Sequence, residues 1–271
     1  MVEEYNATQL LNWYVASGID VALEEKPINR FLSKAAVRIE KTEPMRIGSA
    51  DTASKPGTPV KLVSLSETTN SAHATARAAD TLEALRDAIS AFEGCPLKQT
   101  AKNLVFGDGP ENSKFMLIGE APGAQEDREG RPFVGPAGQL LERMLKAISI
   151  ERSDVYITNI LPWRPPGNRT PTDSETAACV PFIERQIELV APELLILVGG
   201  VSAKTLLGTT QGIMRTRGKW LEYKREGRLA AIPARAILHP AYLLRSPAQK
   251  RETWMDLLAI QQRIGDVSQK L

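Results

Sequence analysis

Residues 115–138 read FMLIGEAPGAQEDREGRPFVGPAG, and the organisation of the chain follows outward from them. Residues 115–118 are apolar and read as a buried strand, which empties directly into the turn Gly119, Glu120, Ala121, Pro122, Gly123. Open α/β sheets place their ligands in such loops, because glycine backbone lets a substrate approach closely. Three carboxylates follow at Glu126, Asp127 and Glu129, then an apolar segment holding Pro132, Phe133, Val134 and Gly135. Carboxylates beside an aromatic ring point to a pocket for a flat, polar molecule.

C-terminal to this stretch, residues 139–148 carry Leu140, Leu141, Met144, Leu145 and Ile148 at helical spacing. Residues 155–161 (VYITNIL) and 194–198 (LLILV) read as two more buried strands, with residues 174–190 a long helix between them. Residues 201–207 suggest a short helix, the basic segment 208–228 a loop and hairpin, residues 234–238 a last strand, and residues 246–263 a closing helix. On the N-terminal side, Thr81 is placed to cap a helix whose face is Leu82, Leu85, Ile89 and Phe92. Residues 103–106 read as a short edge strand. Apolar strands alternating with helices predict a three-layer α/β/α sandwich around a central, mainly parallel sheet. The polar motifs all fall at strand ends: Glu120 after the first, Asn159 late in the second, His239 after the last. That convergence on one edge of the sheet predicts a site.

Residues 81–271 carry this pattern. Residues 42–80 are rich in Ser, Thr, Ala, Pro and Gly and read as a flexible linker, because such a stretch buries too little apolar area to offset its ordering entropy. Residues 1–41 read as a helical extension, with Leu10, Leu11, Tyr14 and Val15 on one face, available to dock a protein partner or to pack on the main domain. The N-terminus is acidic and has no secretory signal pattern, and no apolar run approaches the ~18 residues that span a bilayer, so the cytoplasm is the expected compartment. With two cysteines, Cys95 and Cys179, a disulfide framework is not expected. Between Lys204 and Arg251 eleven Lys/Arg face two Glu, a local excess that suits a polyanion such as nucleic acid, or a solvated basic surface.

Five segments in order resemble the uracil-DNA glycosylase superfamily, most closely its family 4: GEAPGAQED (119–127), RPFVGPAGQLL (131–141), Thr158-Asn159, RPPGNRTP (164–171) and HPAYLLR (239–245). The resemblance covers residues 82–264. It implies a four-stranded parallel sheet between helices and an enzyme that flips uracil from single- or double-stranded DNA and hydrolyses its N-glycosidic bond. Cleavage builds positive charge on the sugar and negative charge on the departing base, so donors must face the uracil oxygens and an anion the sugar.

By this resemblance His239 donates to uracil O2, Asn159 reads O4 and N3–H with its acceptor and donor, and Phe133 stacks on the ring. The backbone of Gly119, Ala121, Pro122 and Gly123 lines the pocket. The first motif has Ala121 where some relatives carry an Asp; family 4 shares this departure and carries a Glu one residue earlier, here Glu120, so the resemblance makes Glu120 the expected partner of the sugar cation, with Glu126 or Asp127 behind it. Gly123 stands where some relatives use a Tyr that excludes the thymine methyl. Tyr242, Leu243, Leu244 and Arg245 are expected to form a loop that wedges the duplex, with Arg245 on phosphate. Arg164, Asn168, Arg169 and the cluster Arg215, Arg217, Lys219 are further backbone candidates.

Family 4 usually holds an iron–sulfur cluster on four cysteines. Cys95 and Cys179 match two of those positions, and Phe92 and Trp163 occupy the others. The expectation is therefore no cluster and no metal, with the two aromatics filling the vacated space. The loop at residues 165–169 contains no histidine, so ordinary turnover is expected rather than covalent trapping. Two other functions fit less well. A glycosylase for hypoxanthine or xanthine disagrees with the amide pattern of Asn159, and a non-catalytic binder of abasic DNA disagrees with the presence of Glu120, Asn159 and His239 together.

Overall fold

The computed structural model describes residues 65–225 and 230–268. Residues 1–41 and the linker up to residue 64 lie outside that range, as do the helices expected near the N-terminus.

The first described helix, α1 (Leu65–Arg77), falls inside the stretch expected to be a linker, and this part of the reading is corrected. Its small residues Ala72 and Ala76 are buried against α5 (Asp173–Val190), and the carbonyl of Ala79 just beyond it accepts from Arg185 Nε at 2.9 Å. Alanine scores as weakly apolar in a composition count, yet it favours helix and permits close packing. The next helix, α2 (Leu82–Ala91), starts as expected: the Thr81 hydroxyl accepts from Ala84 N at 3.1 Å, a cap worth about 1 kcal/mol.

The sheet comprises β1 (Phe115–Gly119), β2 (Val155–Asn159), β3 (Leu194–Val198), β4 (Trp220–Tyr223) and β5 (Ile232–Ile237), in the order β2-β1-β3-β5-β4. The first four in that order run parallel; β4 is antiparallel to β5. The sheet is thus five-stranded, not four-stranded. The extra edge strand comes from the basic segment 208–228, whose hairpin partner is the last parallel strand. Residues 103–106 form no strand; instead Asp108 makes an isolated antiparallel bridge to Ile157.

Side-chain alternation divides the core in two. Met116, Ile118, Tyr156, Leu195, Leu197, Ala234 and Ala236 face α1, α2, α5 and α6 (Gly200–Leu207). Leu117, Val155, Ile157, Leu194, Ile196 and Val198 face the other layer. That layer holds α4 (Pro136–Lys146), which follows the short α3 (Ala124–Glu129), and α9 (Lys250–Ser268). Between β3 and β4 lies the one-turn α7 (Ile213–Thr216). α8 (Pro240–Arg245) follows β5 and packs beside α4. The chain leaves β1 towards β2 on one side and leaves β3 towards β5 on the other. The crevice at the carboxyl ends of β1 and β3 is therefore the switch point where such sheets bind ligands.

Part of the local basic excess is consumed inside the fold. Asp256, fully buried on α9, accepts from Arg217 Nε at 2.8 Å, Arg235 Nη2 at 2.8 Å and Gly218 N at 3.0 Å. Arg225 pairs with Glu184 and Glu188. Arg217, expected as a DNA contact, is instead a half-buried cation engaged with Glu252 and Asp256.

Candidate functional site

β1 and β2 end in register, with Gly119 opposite Asn159. A β-carbon on Gly119 would stand 2.4 Å from Asn159 Oδ1 and 2.6 Å from Phe133 Cζ. Only glycine lets the amide and the ring converge there. The backbone continues the pairing past the strands, Ile160 N donating to Gly119 O and Leu161 N to Glu120 O at 3.0 Å each. Asn159 is buried, and among the described residues its side-chain amide has no hydrogen-bond partner. A buried amide left open towards a cavity is a recognition group in waiting.

The cavity, about 400 Å³, is lined by Glu120, Ala121, Pro122, Gly123, Glu126, Phe133, Asn159 and His239, with Asn168, Arg169, Tyr242 and Arg245 at its rim. The structure thus brings the expected pocket residues together, with Gly119 directly beneath. Its volume is that of an ordinary small-molecule site. The rings of Phe133 and His239 lie 5.7 Å apart, tilted by 30°.

His239 caps α8 through its own side chain, Nδ1 accepting from Ala241 N at 3.1 Å. An imidazole nitrogen that accepts carries no proton, so the proton sits on Nε2, which is left as a donor. Burial, with a smaller repulsion from Arg245, pulls the His239 pKa down to about 4 against a weak opposing pull from Glu126. The ring is neutral at physiological pH. Gly199, at φ 102, leaves room for it: a β-carbon there would meet His239 Cβ at 3.3 Å.

Glu120 has no hydrogen bond or ion pair among the described residues, and burial raises its pKa above the ordinary glutamate value. The other carboxylates of the stretch are structural. Glu126 Oε1 accepts from Val134 N (3.0 Å) and Gly135 N (2.8 Å), and Oε2 from Gly123 N (3.1 Å). Asp127, buried, accepts from Lys102 N at 2.8 Å and Asn103 N at 3.2 Å. Both carboxylates are taken up by backbone N–H groups that hold the loop, although Glu126 also lines the cavity; Glu120 is the one left without a partner among the described residues.

The DNA-facing expectations divide. Residues 242–245 form the end of α8, not a loop, and Leu243 is only 1% exposed in the core, so it cannot wedge a duplex. Leu244 is 43% exposed and can. Arg169 is engaged with Glu175, both nitrogens meeting the carboxylate at 2.6 and 2.8 Å, and Arg164 donates to Asn168 Oδ1 at 2.8 Å. These pairs shape the rim loop. Arg152 and Gly138, which no motif reading singled out, support the site from behind.

At the four positions where family 4 usually holds its cluster, Cys95 and Cys179 are buried with their sulfurs 3.8 Å apart. Phe92 meets Phe182 edge-on at 5.0 Å, and Trp163 is buried in the same core. Two thiols and two packed aromatic rings do not fit a cubane that needs four ligands.

The sequence model described as the Uracil DNA glycosylase superfamily matches residues 106–258. A type-4 uracil-DNA glycosylase from Pyrobaculum aerophilum is 40% identical over 178 residues, 65% of this chain and 91% of that protein. Those of Archaeoglobus fulgidus (39% identical; 65% of this chain, 90% of that protein) and Thermotoga maritima (38%; 61% and 84%) are similar to it. A DNA polymerase of Bacillus phage SP01 shares 31% identity with 59% of this chain but over only 16% of its own length. The match spans the sheet and every element that borders the pocket, and on that basis the chain belongs to the uracil-DNA glycosylase superfamily.

Proposed function

We propose that this protein removes uracil from DNA by hydrolysing the bond between N1 of the base and C1′ of the sugar, leaving an abasic site. The observation that carries the proposal is the fixed tautomer of His239. With Nδ1 occupied by Ala241 N–H, a neutral imidazole aims its only N–H from Nε2 at the pocket. A neutral donor strengthens its bond as the uracil oxygen becomes anionic and does not have to surrender a proton.

The flipped base lies against Phe133, and Asn159 supplies one acceptor and one donor for N3–H and O4. As the C1′–N1 bond breaks, its electron pair leaves with uracil, held at O2 by His239, while Glu120 faces the cationic sugar. Water then adds to C1′; one of its protons goes to solvent and the base is protonated on release. Tyr242 and Arg245 on one side and Asn168 on the other border the mouth through which the nucleotide enters, with the exposed Leu244 next to them on α8.

The protein works without an iron–sulfur cluster on this reading. What supports it is the packing of Phe92 and Trp163 beside a lone pair of thiols. It acts where DNA is held, in the cytoplasm.

Incubating the purified protein with a uracil-containing oligonucleotide and then alkali should cleave the strand at uracil. His239→Ala and Asn159→Ala should each lose at least about a hundredfold in kcat/KM. If single- and double-stranded uracil DNA both stay intact while abasic DNA is bound tightly, the protein is a binder and the proposal fails.

A further inference from the structure

Phe133 stands at φ 52, a left-handed conformation that an aromatic residue adopts only when its surroundings impose it. The imposing group is Arg152. Its Nη1 donates to Phe133 O at 3.0 Å and its Nη2 to Pro132 O at 2.7 Å, so one guanidinium holds two consecutive carbonyls of the turn. The remaining donors reach backwards. Nε and Nη2 meet Asp108 Oδ2 at 3.0 and 2.8 Å, and Nη1 meets Glu142 Oε1 at 3.0 Å.

Asp108 is itself fixed to the sheet. Its backbone N–H donates to Ile157 O at 3.0 Å, and Ile157 N–H donates to its carbonyl at 2.8 Å. Ile157 precedes Asn159 by two residues on β2. A continuous chain of contacts therefore runs from the strand that bears Asn159, through Asp108 and Arg152, to the backbone of Phe133. Gly138 completes the seat, since a β-carbon there would lie 1.8 Å from Phe133 O. Arg152 does not line the cavity.

We propose that Arg152 is a positioning residue for uracil recognition: it sets the ring of Phe133 relative to Asn159, so that stacking and edge reading act on one base plane. The inference rests on the stacking role given to Phe133 above. Arginine is required because its planar fork offers five donors in fixed directions, whereas lysine offers a point charge that can serve one carbonyl at a time.

The test is a double-mutant cycle of Arg152→Met with Phe133→Ala, measuring kcat/KM on uracil DNA, inhibition by free uracil, and affinity for an oligonucleotide with a tetrahydrofuran abasic site. Arg152→Met should lower kcat/KM by about 10–100-fold and weaken inhibition by free uracil in parallel. Abasic-site affinity should stay within about twofold, and Arg152→Lys should fall between wild type and Arg152→Met. In the Phe133→Ala background Arg152→Met should cost less than about threefold, because the ring it positions is gone. Equal losses in both backgrounds, or parallel weakening of uracil and abasic-site binding, would overturn the proposal. If Phe133→Ala alone keeps the wild-type rate and uracil inhibition, the stacking role fails and the inference goes with it. Should Arg152→Met not fold, Asp108→Asn loosens the same guanidinium from outside and should weaken uracil inhibition while sparing abasic binding. Wild-type uracil inhibition in that variant would equally overturn the idea.

Discussion

Gly119 and Asn159 face each other at the ends of adjacent parallel strands, and a β-carbon on the glycine would lie 2.4 Å from the asparagine's Oδ1. Gly119→Ala therefore pushes apart the amide and the Phe133 ring, both of which are ends of movable side chains. Activity should fall by about a hundredfold or more, since small misplacements of recognition groups carry that cost. The thermal midpoint should move by only a few degrees. A variant with wild-type kcat/KM would mean that the convergence does not matter.

His239 supplies a pH signature. Its folded pKa of about 4 lies below the unfolded value near 6.5. Between those values the unfolded chain takes up a proton that the folded chain refuses, so stability falls as pH falls through this window. His239→Asn lacks that loss. The variant should gain about 1–2 kcal/mol relative to wild type on going from pH 7.5 to pH 5, read from urea unfolding at both pH values.

Glu120 titrates in the opposite chemical sense. Burial raises its pKa, and only the ionised form stabilises a cationic sugar. The rate should drop on acidification at a pH above that of an ordinary glutamate, and Glu120→Gln should be slow with no such limb. A wild-type profile flat through that region would remove Glu120 from the chemistry.

Asp256 and Arg235 are both buried, and Asp256 also holds Arg217 and the backbone of Gly218. Asp256→Ala leaves Arg235 charged and unpaired in the core, which should cost about 3–5 kcal/mol in chemical denaturation. The pocket lies elsewhere, so kcat/KM at low temperature should change little.

Adjacent leucines on α8 should separate stability from DNA engagement. Leu243→Ala should cost about 2–5 kcal/mol as a core cavity. Leu244→Ala should leave stability within about 0.5 kcal/mol while slowing uracil removal from duplex more than from single-stranded DNA. Equal rates on both substrates would exclude a wedge at Leu244.

The two thiols give a direct chemical check. Purified protein should be colourless and free of iron by elemental analysis, and a chelator should leave its melting midpoint unchanged. Brown iron–sulfur absorbance would sink the cluster-free reading.

Much of the fold was legible because buried parallel strands write themselves as apolar runs: residues 194–198 match β3 residue for residue. The edge strand β4 was legible only as part of a hairpin in the basic segment, not as a fifth strand of the sheet. Only Tyr223 in it is buried, and the exposed ring of Trp220 meets the guanidinium groups of Arg235 and Arg263, a contact no local pattern displays. α1 was missed for a related reason, since its buried face is made of alanines whose partner lies about a hundred residues away.

In the opening stretch, residues 115–138, the strand and the turn were legible from local chemistry, because strand period and glycine freedom act over a few residues, whereas the pocket roles of Glu120 and Phe133 came from the resemblance to the family. The free carboxylate came from the folded structure: Glu126 and Asp127 are consumed by backbone N–H groups, while among the described residues Glu120 has no partner in the cavity. The tautomer of His239 and the seat of Phe133 on Arg152 were decided there too. Both depend on hydrogen bonds whose geometry exists only once the chain has folded.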